Sequence, residues 1–204
     1  MQSFPKQRNV VARAPASRVR AVARRLACCW LIKALGTTGV MGLFFVAYFR
    51  LLDRPGVHAI LMPETAVDRW VSFQPAFVYL YASLWLYVSL VPALMPDRRS
   101  LVRYGIAIGL VCVAGLAVFY GFPTRIERDP GLWANQPQFA WLSAVDGSGN
   151  AFPSLHVASA VFSAYWLDRI QRALAMPMGM RLLSVAWAVG IVYSTLAIAQ
   201  HVAW

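Results

Sequence analysis

An all-α bundle of about five membrane-crossing helices is the fold this sequence predicts, and three observations predict it. Apolar residues make up 59% of the chain and charged residues 13%, where a soluble domain carries about 25% charged residues. The apolar residues gather into five stretches, 34–52, 71–95, 101–122, 151–167 and 182–204, each near the roughly 17–25 residues needed to cross a bilayer. Basic residues cluster at every second boundary between the stretches, the pattern of a chain threaded back and forth with its positive loops inside.

The first 30 residues stand apart from the rest. Lys6, Arg8, Arg13, Arg18, Arg20, Arg24 and Arg25 precede the first acid, Asp53. The basic region is too long for a secretory signal, and no Ala-x-Ala site follows a short apolar core. A mitochondrial transit peptide shares the arginine-rich, acid-free composition. The reading adopted is a disordered cytoplasmic tail over 1–30, held to anionic headgroups by charge, followed by a membrane domain over 31–204. Nothing aromatic or motif-like marks the tail for nucleic acid, and no nucleic-acid partner is expected.

The first span, 34–52, is diluted by Gly36, Gly39 and Gly42. Spans two and three are continuous, and Cys112 sits in the third as a small apolar residue. Cys28 and Cys29 are adjacent, which disfavours a mutual bridge, and no metal-ligand spacing is present. Their palmitoylation is an alternative. The fourth span begins after the turn-forming Asp146-Gly-Ser-Gly-Asn150 and runs on past Asp168. The fifth carries His201 near its end.

With the basic tail inside, loop 53–70 lies outside. Arg98, Arg99 and Arg103 come next, inside; the long loop 123–150 is outside; and Arg169, Arg172 and Arg181 are inside. His156 and His201 then return to a similar depth at the outer face, because each leg to the turn near Pro177 covers roughly the 30 Å core at 1.5 Å per residue. An ionisable side chain within an apolar span is a functional candidate by default. Pro153 suits a helix start and Ser154 an N-cap. The exposed N–H groups of that first turn make an anion site beside His156. His156, Ser159, Ala160 and Ser163 share one helical face, and Ser194, Ala197, Ile198 and His201 another. Small residues on such stripes let membrane helices approach closely. Pro123-Thr124-Arg125, followed by Arg128, supplies cations to the outer loop.

Phe152-Pro153-Ser154-Leu155-His156, followed by Ser194-Thr195-x5-His201, resembles the type 2 phosphatidic acid phosphatase superfamily, which includes lipid phosphatases, glucose-6-phosphatase and vanadium haloperoxidases. The resemblance covers about 70–204. Its second motif, with leucine where glycine is usual, looks more like the branch containing inositol phosphorylceramide synthases. The resemblance implies that His201 is the nucleophile that takes the phosphoryl group and His156 the acid that protonates the leaving oxygen. Ser154, Ser194 and nearby amides would hold phosphate oxygens, and Arg125 or Arg128 would clamp them. Histidine titrates near neutrality and arginine offers a fork matched to phosphate, so the residue types suit the chemistry. No metal or other cofactor is expected.

The chain departs from the superfamily at three places. The first motif lacks its lysine and reads Arg128-Asp129-Pro130; Thr195 replaces an arginine; and the superfamily's last aspartate would fall one position past Trp204. The resemblance therefore implies a chain that stops before that carboxylate and before a sixth helix. The expected function is a lipid-phosphate phosphatase or phosphotransferase, in a bacterial inner membrane with a periplasmic site, its partners a lipid phosphate and the bilayer. An inositol or headgroup phosphotransferase is the nearest alternative. A degenerate, non-catalytic membrane protein is another, and a transporter a third.

Overall fold

The computed structural model describes residues 15–52, 58–127, 129–145 and 149–203. They form an all-α membrane bundle. In chain order the elements are α1 (Pro15–Ala27), α2 (Trp30–Leu52), β1 (Ile60–Leu61), α3 (Ala66–Trp70), α4 (Val78–Ala82), α5 (Leu84–Ala93), α6 (Arg98–Gly121), β2 (Thr124–Arg125), α7 (Pro130–Ala134), α8 (Ala140–Val145), α9 (Leu155–Ala173) and α10 (Met178–Ala197). A single 3-10 turn, Pro75–Phe77, leads into α4, and together with α5 they make one span, Pro75–Ala93.

Among the described residues four helical segments are long and apolar enough to cross a membrane: α2, Pro75–Ala93, α6 and α10. α9, expected as a fifth, is 19 residues long and lies outside that set, because Asp168, Arg169 and Arg172 fall within it. It is nonetheless the centre of the bundle. Ala160 and Ser163 are fully buried and Leu167 nearly so, which lets α9 pack on both α10 and α5. Tyr87 on α5 donates to the Ser184 carbonyl on α10 at 3.1 Å, and the Trp187 indole donates to the Ser83 hydroxyl at 2.8 Å. Asp168 accepts from Arg172 and Arg181 and ties the α9–α10 turn.

The glycines of the first span do not break it; α2 is continuous over 23 residues. Residues 15–27 are helical where the tail was expected to be disordered. One face of the helix packs: Ala21 is buried, Val22 meets the main core, and Arg18 and Arg25 on the same face are half-buried, while Arg20 and Arg24 are exposed. α1 is fastened at one end of the bundle. Arg25 donates to the Leu94 carbonyl at 3.3 Å, and the buried Lys33 ammonium donates to the carbonyls of Arg25, Ala93 and Met95 at 2.5, 2.8 and 3.0 Å. Three donors meet three carbonyls at the C-terminal ends of α1 and α5, where the helix dipole also favours a cation. At this end α6 starts on an N-cap: Ser100 N–H and its hydroxyl bond Asp97 and hold that carboxyl below its ordinary range.

At the opposite end the long loop is not open coil. α7 and α8 fold over the bundle, and Trp133, Phe139 and Leu142 bury against Val78, Tyr81 and Ile198. Beside them β1 and β2 pair in parallel, and Arg125 bridges Gly149. Loop 53–70 and the two ends of loop 123–150 are thus joined beside the start of α9.

Candidate functional site

α9 begins where the sequence places it. Ser154 is the N-cap, its hydroxyl accepting from Val157 N–H at 3.3 Å, and His156 is the second helical residue. The N–H groups that head a helix have no intrahelical acceptor and carry partial positive charge. His156 stacks on Tyr81 with ring centroids 4.1 Å apart, meets Trp85 edge-on at 5.9 Å, and places Nδ1 3.3 Å from the Tyr81 hydroxyl. Its other nitrogen, Nε2, is buried and has no hydrogen-bond partner. A buried polar atom without a partner is costly and marks a place where a ligand could bond.

α10 does not reach His201. The helix expected over 182–204 stops at Ala197, so the shared face of Ser194, Ala197, Ile198 and His201 does not form. Ala199 turns into the left-handed region with φ 54°. Its N–H donates to the Leu196 carbonyl at 2.9 Å, and those of Gln200 and His201 donate to the Thr195 carbonyl at 3.0 and 3.2 Å. This is a Schellman closure, in which the reversed chain satisfies the last helical carbonyls. Trp133 Nε1 covers the Ile198 carbonyl at 2.9 Å, and Gln74 N–H covers that of Ala197 at 2.7 Å. The turn swings the His201 ring to 6.3 Å from His156, centroid to centroid.

His201 Nδ1 lies 3.1 Å from the Ala151 carbonyl. A carbonyl only accepts, so Nδ1 carries a proton and, in the neutral ring, Nε2 keeps the lone pair. The Ala151 carbonyl thus fixes the tautomer and the orientation of the His201 ring. Ala151 is itself held by the joined loops. Phe152 N–H donates to the Thr124 hydroxyl at 2.8 Å, and Ala151 N–H to the Thr124 carbonyl at 3.4 Å.

The two histidines sit at one end of a cavity of about 830 Å³. Apolar side chains of α2, α5 and α6 form most of its wall; His156, His201, Ser159 and Asn150 bring polar atoms to it. Asn150 was read from the sequence only as part of a turn. It is 5% exposed, adopts φ 52°, and its Nδ2 has no partner. Asparagine tolerates that backbone region, and here the conformation sets a buried donor in the cavity wall. Tyr81, against His156, was also missed; nothing in the order of residues joins position 81 to position 156.

Other expected site residues are not brought to this cavity. Thr124 is buried, and the next residue on the strand, Arg125, points the other way and is exposed. The expected Arg125 clamp therefore does not form at the cavity. Ser194 is fully buried, with its hydroxyl donating to the Ile191 carbonyl at 2.6 Å. Ser154 spends its hydroxyl on the cap. Thr195 likewise bonds back to its own helix, to Val192. Arg128 lies outside the described residues. No family model, curated protein or solved structure matches this chain.

Proposed function

We propose that this chain is a membrane phosphatase or phosphotransferase that works on a lipid phosphate through a phosphohistidine on His201. The observation that carries the proposal is the histidine pair at the polar end of an apolar cavity, with His156 Nε2 buried and unpartnered. His201 Nε2 attacks phosphorus, the P–O bond to the lipid breaks, and a cationic His156, its charge supported by the bound phosphate, gives its Nε2 proton to the departing oxygen and becomes neutral. In the second step water or an alcohol attacks the N–P bond, its proton passing to His156. Asn150 Nδ2 and the leading N–H groups of α9 stabilise the phosphoryl oxygens. An inositol or other headgroup as acceptor gives the transferase form of the same reaction.

A second reading is a non-catalytic protein that holds a lipid in the cavity. Its support is that no arginine or lysine side chain lines the cavity among the described residues. Labelled lipid phosphate separates the two. The first reading expects an acid-labile phosphoenzyme, lost in His201→Ala together with turnover, while His156→Ala costs less when the leaving group is good. Labelling that persists in His201→Ala removes the assignment.

The side of the membrane belongs to the same proposal: a bacterial inner membrane with the histidines facing the periplasm. Support comes from α1, Lys33 and Arg98, all at the end of the bundle opposite the histidines. In a background lacking Cys28, Cys29 and Cys112, an impermeant thiol reagent added to intact cells should label Asn135→Cys and spare Arg99→Cys. The reverse pattern places the site inside.

A further inference from the structure

The cavity does not end at the histidines. It continues between α2, α5 and α6 toward the end of the bundle that carries Lys33. Its depth can be read from two side-chain levels. On α2, Phe45 packs on Trp85 at 5.2 Å, and Trp85 meets His156. On α6, a Cβ at Gly115 would fall 2.5 Å from Leu155, the neighbour of His156. Phe45 and Gly115 therefore mark the level of the histidines. Gly36 lies nine residues before Phe45 and Gly105 ten before Gly115, so both sit about 14–15 Å away at 1.5 Å per residue. Both line the cavity, and a Cβ added to either meets no atom within 4 Å. Beyond them the wall runs on to Ile32 and Leu101, about 20 Å from the histidines.

We infer that this apolar channel holds the hydrocarbon chain of the substrate, and that Gly36 and Gly105 keep its lower section open and so set the chain length the enzyme accepts. The inference rests on the proposed reaction for the identity of the polar head. Continuity argues for the occupant: a polar, proton-transferring end opens directly into an apolar channel. The channel is deeper than one leaflet, about half of a 30 Å core. A chain shorter than about 14 Å stops above the two glycines; a longer one must pass their level. Hydrocarbon packed on apolar wall loses little to the competing bilayer, so selectivity comes from steric exclusion more than from attraction.

The test uses octyl phosphate and hexadecyl phosphate with the full chain in nanodiscs. Gly36→Phe and Gly105→Phe should each lower hexadecyl phosphate turnover at least tenfold and leave octyl phosphate turnover within twofold. Gly36→Leu and Gly105→Leu should lower the hexadecyl-to-octyl ratio less than phenylalanine does, and they serve if a phenylalanine variant fails to fold: a ratio that falls with side-chain size supports the inference. Equal losses on both substrates, or no change on either, overturns it while leaving the phosphohistidine reading intact. If the wild-type chain turns over neither substrate, the reaction has failed, and chain placement is read separately. Hexadecyl phosphate with a terminal diazirine should then crosslink saturably near Ile32 and Leu101. Crosslinks spread over the outer faces of α2 and α6 would mean that ordinary bilayer lipid fills the channel, and the inference falls.

Discussion

The half of the bundle made by α5, α9 and α10 and the half made by α2 and α6 follow different rules. Of the apolar windows in Pro75–Ala93 and α10, 33% of residues are buried, against 6% in α2 and 11% in α6. Glycine shows the contrast most directly. A Cβ on Gly190 of α10 would lie 2.9 Å from Leu80, so that glycine is there for close approach. Gly36, Gly39 and Gly42 of α2 have no neighbour within 4 Å of such a Cβ. The packed half fixes the histidines through small residues and buried hydrogen bonds. The open half is pinned mainly near its ends, by Lys33 at one and by ring contacts such as Phe45–Trp85 and Tyr48–Phe119 at the other. Between those pins it leaves a channel. Precision and space are thus assigned to different helices.

If the chemistry lies where the packed half delivers its polar atoms, Asn150 should matter and Arg125 should not. Removing one preorganised donor to a developing oxyanion costs about 10²–10³ in turnover. Asn150→Ala should fall in that range, and Arg125→Ala should stay within about twofold, measured as initial rates on one lipid phosphate. A large loss at Arg125 with none at Asn150 would mean the site closes differently around its substrate, with the strand edge rather than the α9 entrance holding phosphate.

The glycines give the next largest effect. Gly190→Leu should destabilise the protein by about 1–3 kcal/mol, the usual range for overpacking a filled interior. Gly39→Leu should change stability by less than about 0.5 kcal/mol, the range for positions away from packing constraints. Unfolding in mixed micelles by added denaturing detergent measures both. Equal costs at the two positions would show that α2 is packed as tightly as α10 and that the contrast between halves is wrong.

Much of the bundle was legible because membrane spans write themselves as long apolar runs. α2 and α6 fall within a few residues of the expected stretches, α10 starts close to its own but ends well before 204, and Ser154 and His156 head α9 as their residue types imply. What could not be read was decided by tertiary contact. No local signal ends α10 at Ala197: the usual glycine is missing, and the stop depends on Trp133, Gln74 and the Thr195 carbonyl. The same is true of the His201 partner, since any residue's backbone can offer a carbonyl and Ala151 has no distinguishing side chain. Arg125 misled because its neighbour Thr124 takes the inward position on a two-residue strand, too short to show alternation. In α1 the apolar residues do recur at helical spacing, but the density of arginine outweighed them as a sign of disorder.

The smallest expected effect compares the two ends of the α9–α10 pair. Both helices close with the same hydrogen-bond pattern: Ala175 and Met176 N–H groups bond the Arg172 and Gln171 carbonyls at 2.9 Å each, as Ala199 and Gln200 do for α10. In both the left-handed position holds alanine, with φ 53° and 54°, where glycine is usual. The left-handed conformation costs a non-glycine residue about 1–2 kcal/mol. Glycine removes that strain but frees the unfolded chain by about 0.4–1 kcal/mol. Ala175→Gly should therefore stabilise by under about 1.5 kcal/mol, the difference of those terms. It should leave turnover unchanged, since Ala175 lies at the end away from the histidines. Ala199→Gly should give a similar gain. Because Thr195 and Trp133 bond the turn on either side of it, the His201 ring should stay in place and turnover should hold within about twofold. If Ala199→Gly instead lowers turnover tenfold while Ala175→Gly does not, the methyl group at 199 is itself part of what aims His201. Placement of the nucleophile would then depend on a stiffened backbone as well as on the packed helices that carry it.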